Sequence, residues 1–292
     1  MKLEGCYTAL TTPFKAAGAL DEPAFRKLLR RQIQGKVSGL VVCGSTGEAA
    51  TLTHEEFRRL IEIAMQESQG DVPVIAGISA NATHKAIELS REAESLGVDG
   101  LLVLVPYYNK PVQEGIYRHF CAVAQGTDLP IIVYNIPGRT GVNLLPKTLA
   151  RIAKSCPNIA AIKEAAASLD QVSEILSLMP GFTVLSGDDS LTLPMMAVGA
   201  MGAVSVVSNI APRQTSELCR AFLSGNRKKA RLIHLKMFSL VKALFIETNP
   251  IPIKAAQEMM GLCRADMRLP LTLMAIQNRA LLRAELKKSG LI

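Results

Sequence analysis

Lys163 closes an apolar run, Ile159-Ala160-Ala161-Ile162, and is followed by Glu164. A lysine at the end of such a run is partly stripped of water, which weakens its preference for the charged form. A neutral amine is what attack on a carbonyl and Schiff-base formation require. The alternative is a lysine that merely opens a solvated loop. Tyr134 closes another apolar run, Ile131-Ile132-Val133. A phenol can relay protons when a neighbouring hydroxyl orients it; Ser45, Thr46 and Tyr108 could supply that hydroxyl. Equally, Tyr134 could pack with its hydroxyl satisfied.

The turn Gly44-Ser45-Thr46-Gly47-Glu48 offers small residues and backbone N–H groups, which suit a carboxylate or a phosphate. It is not a P-loop, because no Gly-Lys-Ser/Thr follows. Arg139, in Pro137-Gly138-Arg139-Thr140, can fork a carboxylate bidentately, or it can be a surface arginine. Asp188-Asp189-Ser190 is expected to cap the helix that follows rather than to bind a metal. The four histidines, at 54, 84, 119 and 234, fall on helical stretches without ligand spacing. No metal is assigned.

Apart from the histidines, these residues share a place in the chain, at strand ends or in the loops that follow them. The short apolar runs that read as strands are Tyr7–Thr11, Gly39–Cys43, Val74–Ile78, Gly100–Val105, Ile131–Asn135, Ala160–Lys163, Thr183–Ser186 and Ala203–Val207. Consecutive rather than alternate apolar positions suit parallel strands covered on both faces. Amphipathic stretches follow each run. Asp21 before Glu22-Pro23 reads as an N-cap. Thr53-His54-Glu55-Glu56 reads as a capping box, and Gly97 as a helix-ending glycine.

Eight such units predict a closed (β/α)8 TIM barrel, whose chemistry gathers at the C-terminal strand ends. An open doubly wound sheet is the runner-up, but the glycine-rich turn it needs after the first strand is missing. Residues 1–225 are read as the barrel. Residues 226–292 are read as a C-terminal three-helix appendage with helices near 226–247, 251–261 and 271–288. Asn249-Pro250-Ile251-Pro252 marks one break.

Composition excludes several classes. With 292 residues and 49% hydrophobic content, the chain can bury a large core. The net charge of +8 comes from 33 bases among 25 acids. The densest basic run, Arg227-Lys228-Lys229-Ala230-Arg231, has no interleaved aromatic residue on which bases could stack. It reads as a solvated helix face, so no nucleic-acid partner is expected. The uncharged stretch from Ser190 to Pro212 is interrupted by Pro194, Gly199 and Gly202, which argues against a membrane span. Six single cysteines without a Cys-x-x-Cys pair suit reduced packing residues in the cytosol. Met1-Lys2-Leu3-Glu4-Gly5 lacks the parts of a signal peptide. A cytoplasmic location is expected.

Taken together, these residues resemble the N-acetylneuraminate lyase family of pyruvate-dependent class I aldolases. The turn at Gly44–Glu48, Tyr134-Asn135-Ile136-Pro137 and Ile162-Lys163-Glu164 occur in the family's order and spacing, and the resemblance covers essentially the whole chain. Pro106-Tyr107-Tyr108-Asn109-Lys110-Pro111, the Gly138-Arg139-Thr140 loop and Asn249-Pro250-Ile251-Pro252-Ile253-Lys254 point within it to the branch that condenses pyruvate with L-aspartate 4-semialdehyde. That branch makes 4-hydroxy-tetrahydrodipicolinate for lysine and diaminopimelate biosynthesis.

The resemblance implies a Schiff base on Lys163, with Tyr134, Ser45 and Tyr108 as proton relay. Thr46 and Ser45 would hold the pyruvate carboxylate, Arg139 the semialdehyde carboxylate, and Gly187 and Val204 would line the pyruvate pocket. No cofactor is implied. The relay's second tyrosine, Tyr108, would come from a neighbouring subunit, in a homotetramer built as a dimer of dimers.

Two departures carry expectations. The relay's first hydroxyl is usually threonine and here is Ser45; the hydroxyl survives with a less restricted rotamer, so activity should persist. Many members bind lysine as a feedback inhibitor. His54, Asn81 and Tyr107 match that site, but Lys85 stands where a glutamate usually contacts the inhibitor's amine, and Phe57 where histidine is frequent. Lysine inhibition is expected to be weak or absent. The rival readings are a sugar-acid lyase of the same family, which would share Lys163 and Tyr134, and a non-catalytic barrel.

Overall fold

The computed structural model describes residues 2–292. Eight parallel strands close a barrel in sequence order: β1 (Gly5–Ala9), β2 (Gly39–Val42), β3 (Val74–Ile78), β4 (Gly100–Leu104), β5 (Ile131–Asn135), β6 (Ile159–Glu164), β7 (Thr183–Ser186) and β8 (Gly202–Ser205). Around them run α1 (Glu22–Gln34), α2 (His54–Ser68), α3 (Thr83–Ser95), α4 (Gln113–Ala124), the single turn α5 (Pro137–Thr140), α6 (Pro146–Ser155), α7 (Leu169–Leu178), α8 (Thr192–Ala197) and α9 (Pro212–Leu223). Then follow α10 (Arg227–Ala243), α11 (Ile251–Met259) and α12 (Ile276–Lys288).

The period of two along each strand divides the core into two layers. Tyr7, Ala9, Val41, Ile75, Leu102, Ile132, Ala161, Leu185 and Val204 point inward and fill the barrel. Leu40, Val42, Val74, Leu101, Val103, Ile131, Val133, Ile162 and Val184 point outward and pack with Phe25, Leu29, Leu60, Ile61, Ile116 and Phe120 of the helices. Both layers are apolar, which is why the strands read as continuous rather than alternating runs. Closure brings β8 against β1 so tightly that a Cβ on Gly202 would stand 1.9 Å from the Gly5 carbonyl oxygen.

The expected helix signals form. Asp21 accepts from the Ala24 N–H at 3.1 Å. Thr53 and Glu56 exchange both capping-box bonds. Gly97 follows α3 with φ +83°.

Most strands and C-terminal helices form within one or two residues of the expected bounds, and at three of the boundaries that differ a side chain takes the place of a backbone partner. β1 starts two residues earlier than Tyr7–Thr11, where Gly5 pairs with Gly202 of β8, and it ends two residues earlier, where the Thr11 N–H donates to Asn209 Oδ1 at 3.2 Å. β8 ends at Ser205, because the N–H groups of Val206 and Val207 donate to the Asp189 carboxylate at 2.8 and 3.0 Å. The last helix begins at Ile276 rather than 271, where the Ala275 N–H donates to Glu247 at 3.1 Å. α10 ends at Ala243, four residues early. Asp188 does not cap α8 through its side chain; its carboxylate closes a turn onto the Ser190 N–H at 2.8 Å.

The three C-terminal helices build a second core. Met237, Leu240, Leu244, Ile253, Ala256, Leu282 and Leu286 pack with Val206, Val207 and Ile210, which follow β8. Lys254 of α11 is fully buried, and its Nζ donates to Glu48 Oε1 at 2.6 Å and to the Thr12 carbonyl at 3.0 Å. A buried charge is tolerated when it is paired and its remaining protons are satisfied. The pair fastens α11 to the loop after β2. Arg268 adds a second fastening, with its guanidinium bonded to Glu56 and to the carbonyls of Gly18 and Thr51.

Candidate active site

Tyr134 and Lys163 are register partners on β5 and β6, so both side chains enter the barrel mouth side by side. Lys163 Nζ lies 4.0 Å from the centroid of the Tyr134 ring. Both residues are buried, at 6% and 5% exposure. They line a cavity of about 630 Å³, walled also by Thr46, Ile136, Arg139, Ala165, Gly187, Asp188, Val206 and the segment 245–249. That volume is typical for a small-molecule site. Another cleft, about 570 Å³, lies outside the barrel between Gly35 and α9 and contains none of the strand-end residues. Chemistry belongs to the first.

Gly187 owes its place to space. A Cβ there would stand 2.7 Å from Ala165 Cβ and 3.1 Å from Lys163 Cε. Its absence leaves the lysine stem room beside β7. Behind the strands, the next register pair, Asn135 and Glu164, faces outward. The buried Glu164 carboxylate accepts from Asn135 Nδ2 at 3.1 Å, Gln171 Nε2 at 2.9 Å and the Ala166 N–H at 2.7 Å. Burial pushes the Glu164 carboxyl above the ordinary carboxylate range, and these donors oppose that. The network ties the ends of β5 and β6 together and holds Lys163 beside Tyr134.

Residues Ser45–Gly47 form one short helical turn, entered from an extended Gly44 and left through Glu48 at φ +57°. The first N–H groups of such a turn have no partner within it. Thr46 is buried, and its Oγ1 accepts from Asn249 Nδ2 at 2.9 Å. The Asn249 carbonyl accepts from Arg139 Nη2 at 2.7 Å. Asn249 thus joins the small-residue turn to the arginine, while its own Oδ1 is buried without a partner. A guanidinium has five donors; the geometry leaves most of Arg139's for a ligand. The arrangement provides an amine nucleophile, a phenol against it, a turn rich in donors and a cation at the rim. That set can activate one small keto acid and orient a second anionic substrate.

Several residues singled out from the sequence stand elsewhere. Ser45 lines a smaller adjoining cavity of about 250 Å³, with Ser79, Leu104 and Tyr107, which shares Arg139 and Asn249 with the first. Tyr108 is 87% exposed at φ +71° and lies outside the cavity of its own chain. Val204 lies within the barrel-filling cluster, and Val206, two residues on, faces the cavity instead. Asp188 lines the cavity as well. Asn249 was legible only as a helix break. Its role rests on contacts with Thr46, 203 residues away. Among the described residues no cluster of three or more His, Cys, Asp or Glu could hold a metal ion. Among the described residues no helix is long and apolar enough to cross a membrane.

Comparison with known proteins agrees along the whole chain. Residues 2–289 match the Dihydrodipicolinate synthetase family. The chain is 50% identical over 290 residues to 4-hydroxy-tetrahydrodipicolinate synthase of Pelobacter propionicus, covering 99% of each. The fold superposes with a TM-score of 0.97 on dihydrodipicolinate synthase from Aquifex aeolicus, at 49% identity and 99% coverage of each chain. It superposes equally, at 0.97, 40% identity and full coverage of both chains, on the chloride-inhibited dihydrodipicolinate synthase of Acinetobacter baumannii complexed with pyruvate. With its strand-end lysine and tyrosine in one cavity and these likenesses over its full length, the chain belongs to the dihydrodipicolinate synthetase family.

Proposed function

We propose that this chain is a lyase that condenses pyruvate with L-aspartate 4-semialdehyde to give 4-hydroxy-tetrahydrodipicolinate, in lysine and diaminopimelate biosynthesis. The observation that carries the reading is the buried Lys163–Tyr134 pair in a cavity bounded by Thr46 and Arg139. Lys163 adds to the pyruvate keto carbon; water leaves and an imine forms. The N–H groups of the Ser45–Gly47 turn and the Thr46 hydroxyl hold the pyruvate carboxylate, as pre-aimed donors do for developing charge. Loss of a methyl proton gives an enamine, with the protonated imine as electron sink. The enamine carbon attacks the aldehyde carbon of the semialdehyde, whose carboxylate Arg139 holds as a charge-assisted fork. The substrate's amine then closes the ring onto the former keto carbon and expels Lys163.

Tyr134, Ser45 and Tyr108 carry the protons in this scheme. Tyr108 serves the site of a neighbouring subunit, which its exposure and its position away from its own cavity support. The proposed assembly is a homotetramer, a dimer of dimers. Gly187 lines the pyruvate pocket, with Val204 beneath it. Six free thiols suit a reducing, cytoplasmic setting.

Sodium borohydride added with pyruvate tests the central step. The reading predicts a stable adduct on the peptide containing Lys163, absent without pyruvate and absent in Lys163→Ala. No adduct in the folded wild type would sink it.

A further inference from the structure

All six cysteines are free thiols, and two of them touch. Cys121 of α4 and Cys156, the residue that ends α6, hold their sulfurs 3.3 Å apart. A disulfide forms at about 2.05 Å, so closure asks for roughly one ångström of side-chain and local backbone adjustment. The neighbouring contacts keep the two elements aligned. The Tyr117 hydroxyl, one turn before Cys121, lies 3.0 Å from Ser155 Oγ, next to Cys156. Arg151 covers the Tyr117 ring at 4.4 Å. The thiols differ in access: Cys121 is half-buried, whereas Cys156 is only 5% exposed. Neither takes part in the chemistry proposed above. Three residues after Cys156 the chain enters β6, the strand of Lys163.

We propose that Cys121 and Cys156 form a reversible disulfide site, in which Cys121 meets a low-molecular-weight disulfide and Cys156 resolves it. In the first step the Cys121 thiol loses its proton and attacks one sulfur of the oxidant. The oxidant's S–S bond breaks, and half of it leaves as a thiol carrying that proton. In the second step Cys156 loses its proton and attacks Cys121 Sγ, expelling the other half as a second thiol. Two protein thiols are oxidised and one small disulfide is reduced. Burial pushes the Cys156 thiol up to about 12, which keeps it from acting first. The bond would cross-link α4 to the segment leading into β6 and close a loop with a sequence separation of 35.

The test equilibrates the full-length protein with glutathione disulfide, blocks free thiols, digests without reduction and maps the peptides by mass. The proposal predicts one cross-link, Cys121–Cys156, the loss of two titratable thiols, recovery of both with dithiothreitol, and untouched Cys6, Cys43 and Cys219. The oxidised protein should melt several degrees higher than the reduced, because cross-linking restricts the unfolded chain. Cys156→Ser should stop at a glutathione adduct on Cys121, and Cys121→Ser should leave Cys156 unmodified. A lasting adduct on Cys121 in the wild type, a cross-link between other cysteines, or no oxidation in excess glutathione disulfide would each overturn the proposal. The wild-type map decides even if a serine variant fails to fold.

Discussion

Replacing Gly187 by alanine would test how closely Lys163 must be placed. The added Cβ would stand 2.7 Å from Ala165 Cβ and 3.1 Å from Lys163 Cε. Unbonded carbons rest about 3.5–4.0 Å apart, so the first contact is short by roughly 1 Å and the second by roughly 0.5 Å. Residue 187 cannot simply withdraw, because its N–H donates to the Glu164 carbonyl at 2.8 Å. Ala165 is held as firmly, through its N–H to the Asn135 carbonyl at 2.9 Å. The lysine stem is the soft member and gives way.

The two clashes together displace the lysine amine by on the order of 1 Å, and a shift of that size at a reacting atom costs about 10²-fold in rate, or about 2.7 kcal/mol of barrier. Overpacking removes a further ~1–3 kcal/mol from stability, so the comparison belongs well below the melting range. Rapid-quench borohydride trapping at saturating pyruvate reads imine formation directly. It should slow about 10²-fold, in step with kcat, while the KM for semialdehyde changes little. Adding Ala165→Gly removes the shorter clash and should restore roughly tenfold. Gly187→Ala that forms imine at the wild-type rate would refute the reasoning.

Four further outcomes are expected. Arg139→Lys keeps the charge but loses the fork, so the KM for semialdehyde should rise ~10–100-fold while pyruvate trapping is unchanged; slowed trapping would contradict this division of labour. Lys254→Met strands the buried Glu48 carboxylate and should cost about 3–5 kcal/mol in urea unfolding, most of it regained when Glu48→Leu is added. His119 is buried against Thr83, and burial lowers its pKa from 6.5 to about 4. Between those values the unfolded chain binds a proton the fold refuses, so stability should fall as pH drops from 6.5 to 4 and then level off. The depth is about 3 kcal/mol, and His119→Gln should flatten that part of the profile. L-Lysine should inhibit weakly, since the Lys85 cation repels a cationic ligand, and Lys85→Glu should strengthen inhibition; tight, saturable inhibition of the wild type by micromolar lysine would defeat this.

The sequence showed the barrel because the energetics of a parallel sheet are local in sequence. Each strand must be apolar on both faces, and each helix must bury one stripe, so the eightfold alternation is written residue by residue. Lys163 and Tyr134 stood out for the same reason: a polar group ending an apolar run marks the barrel mouth. What stayed hidden depends on distant partners. Whether Val206 and Val207 extend β8 depends on where Asp189 places its carboxylate. Asn249 reads as a helix break, yet it joins Thr46 to Arg139 only after the C-terminal helices fold over the barrel. The segment 245–249 walls the cavity, so residues expected as an appendage complete the site. Val204 fills the barrel whereas Val206, past the end of β8, lines the cavity, and sequence alone could not say how deep the cavity reaches.

The central claim is the pairing of Lys163 chemistry with an aspartate semialdehyde site at Arg139. Mass spectrometry of the products tests it most directly, with purified protein given pyruvate and the semialdehyde, or pyruvate and the aldehyde partners of sugar-acid lyases, for wild type and Lys163→Ala in parallel. The account predicts a cyclic product from the semialdehyde alone, lost in Lys163→Ala. Turnover only with a sugar aldehyde would contradict it.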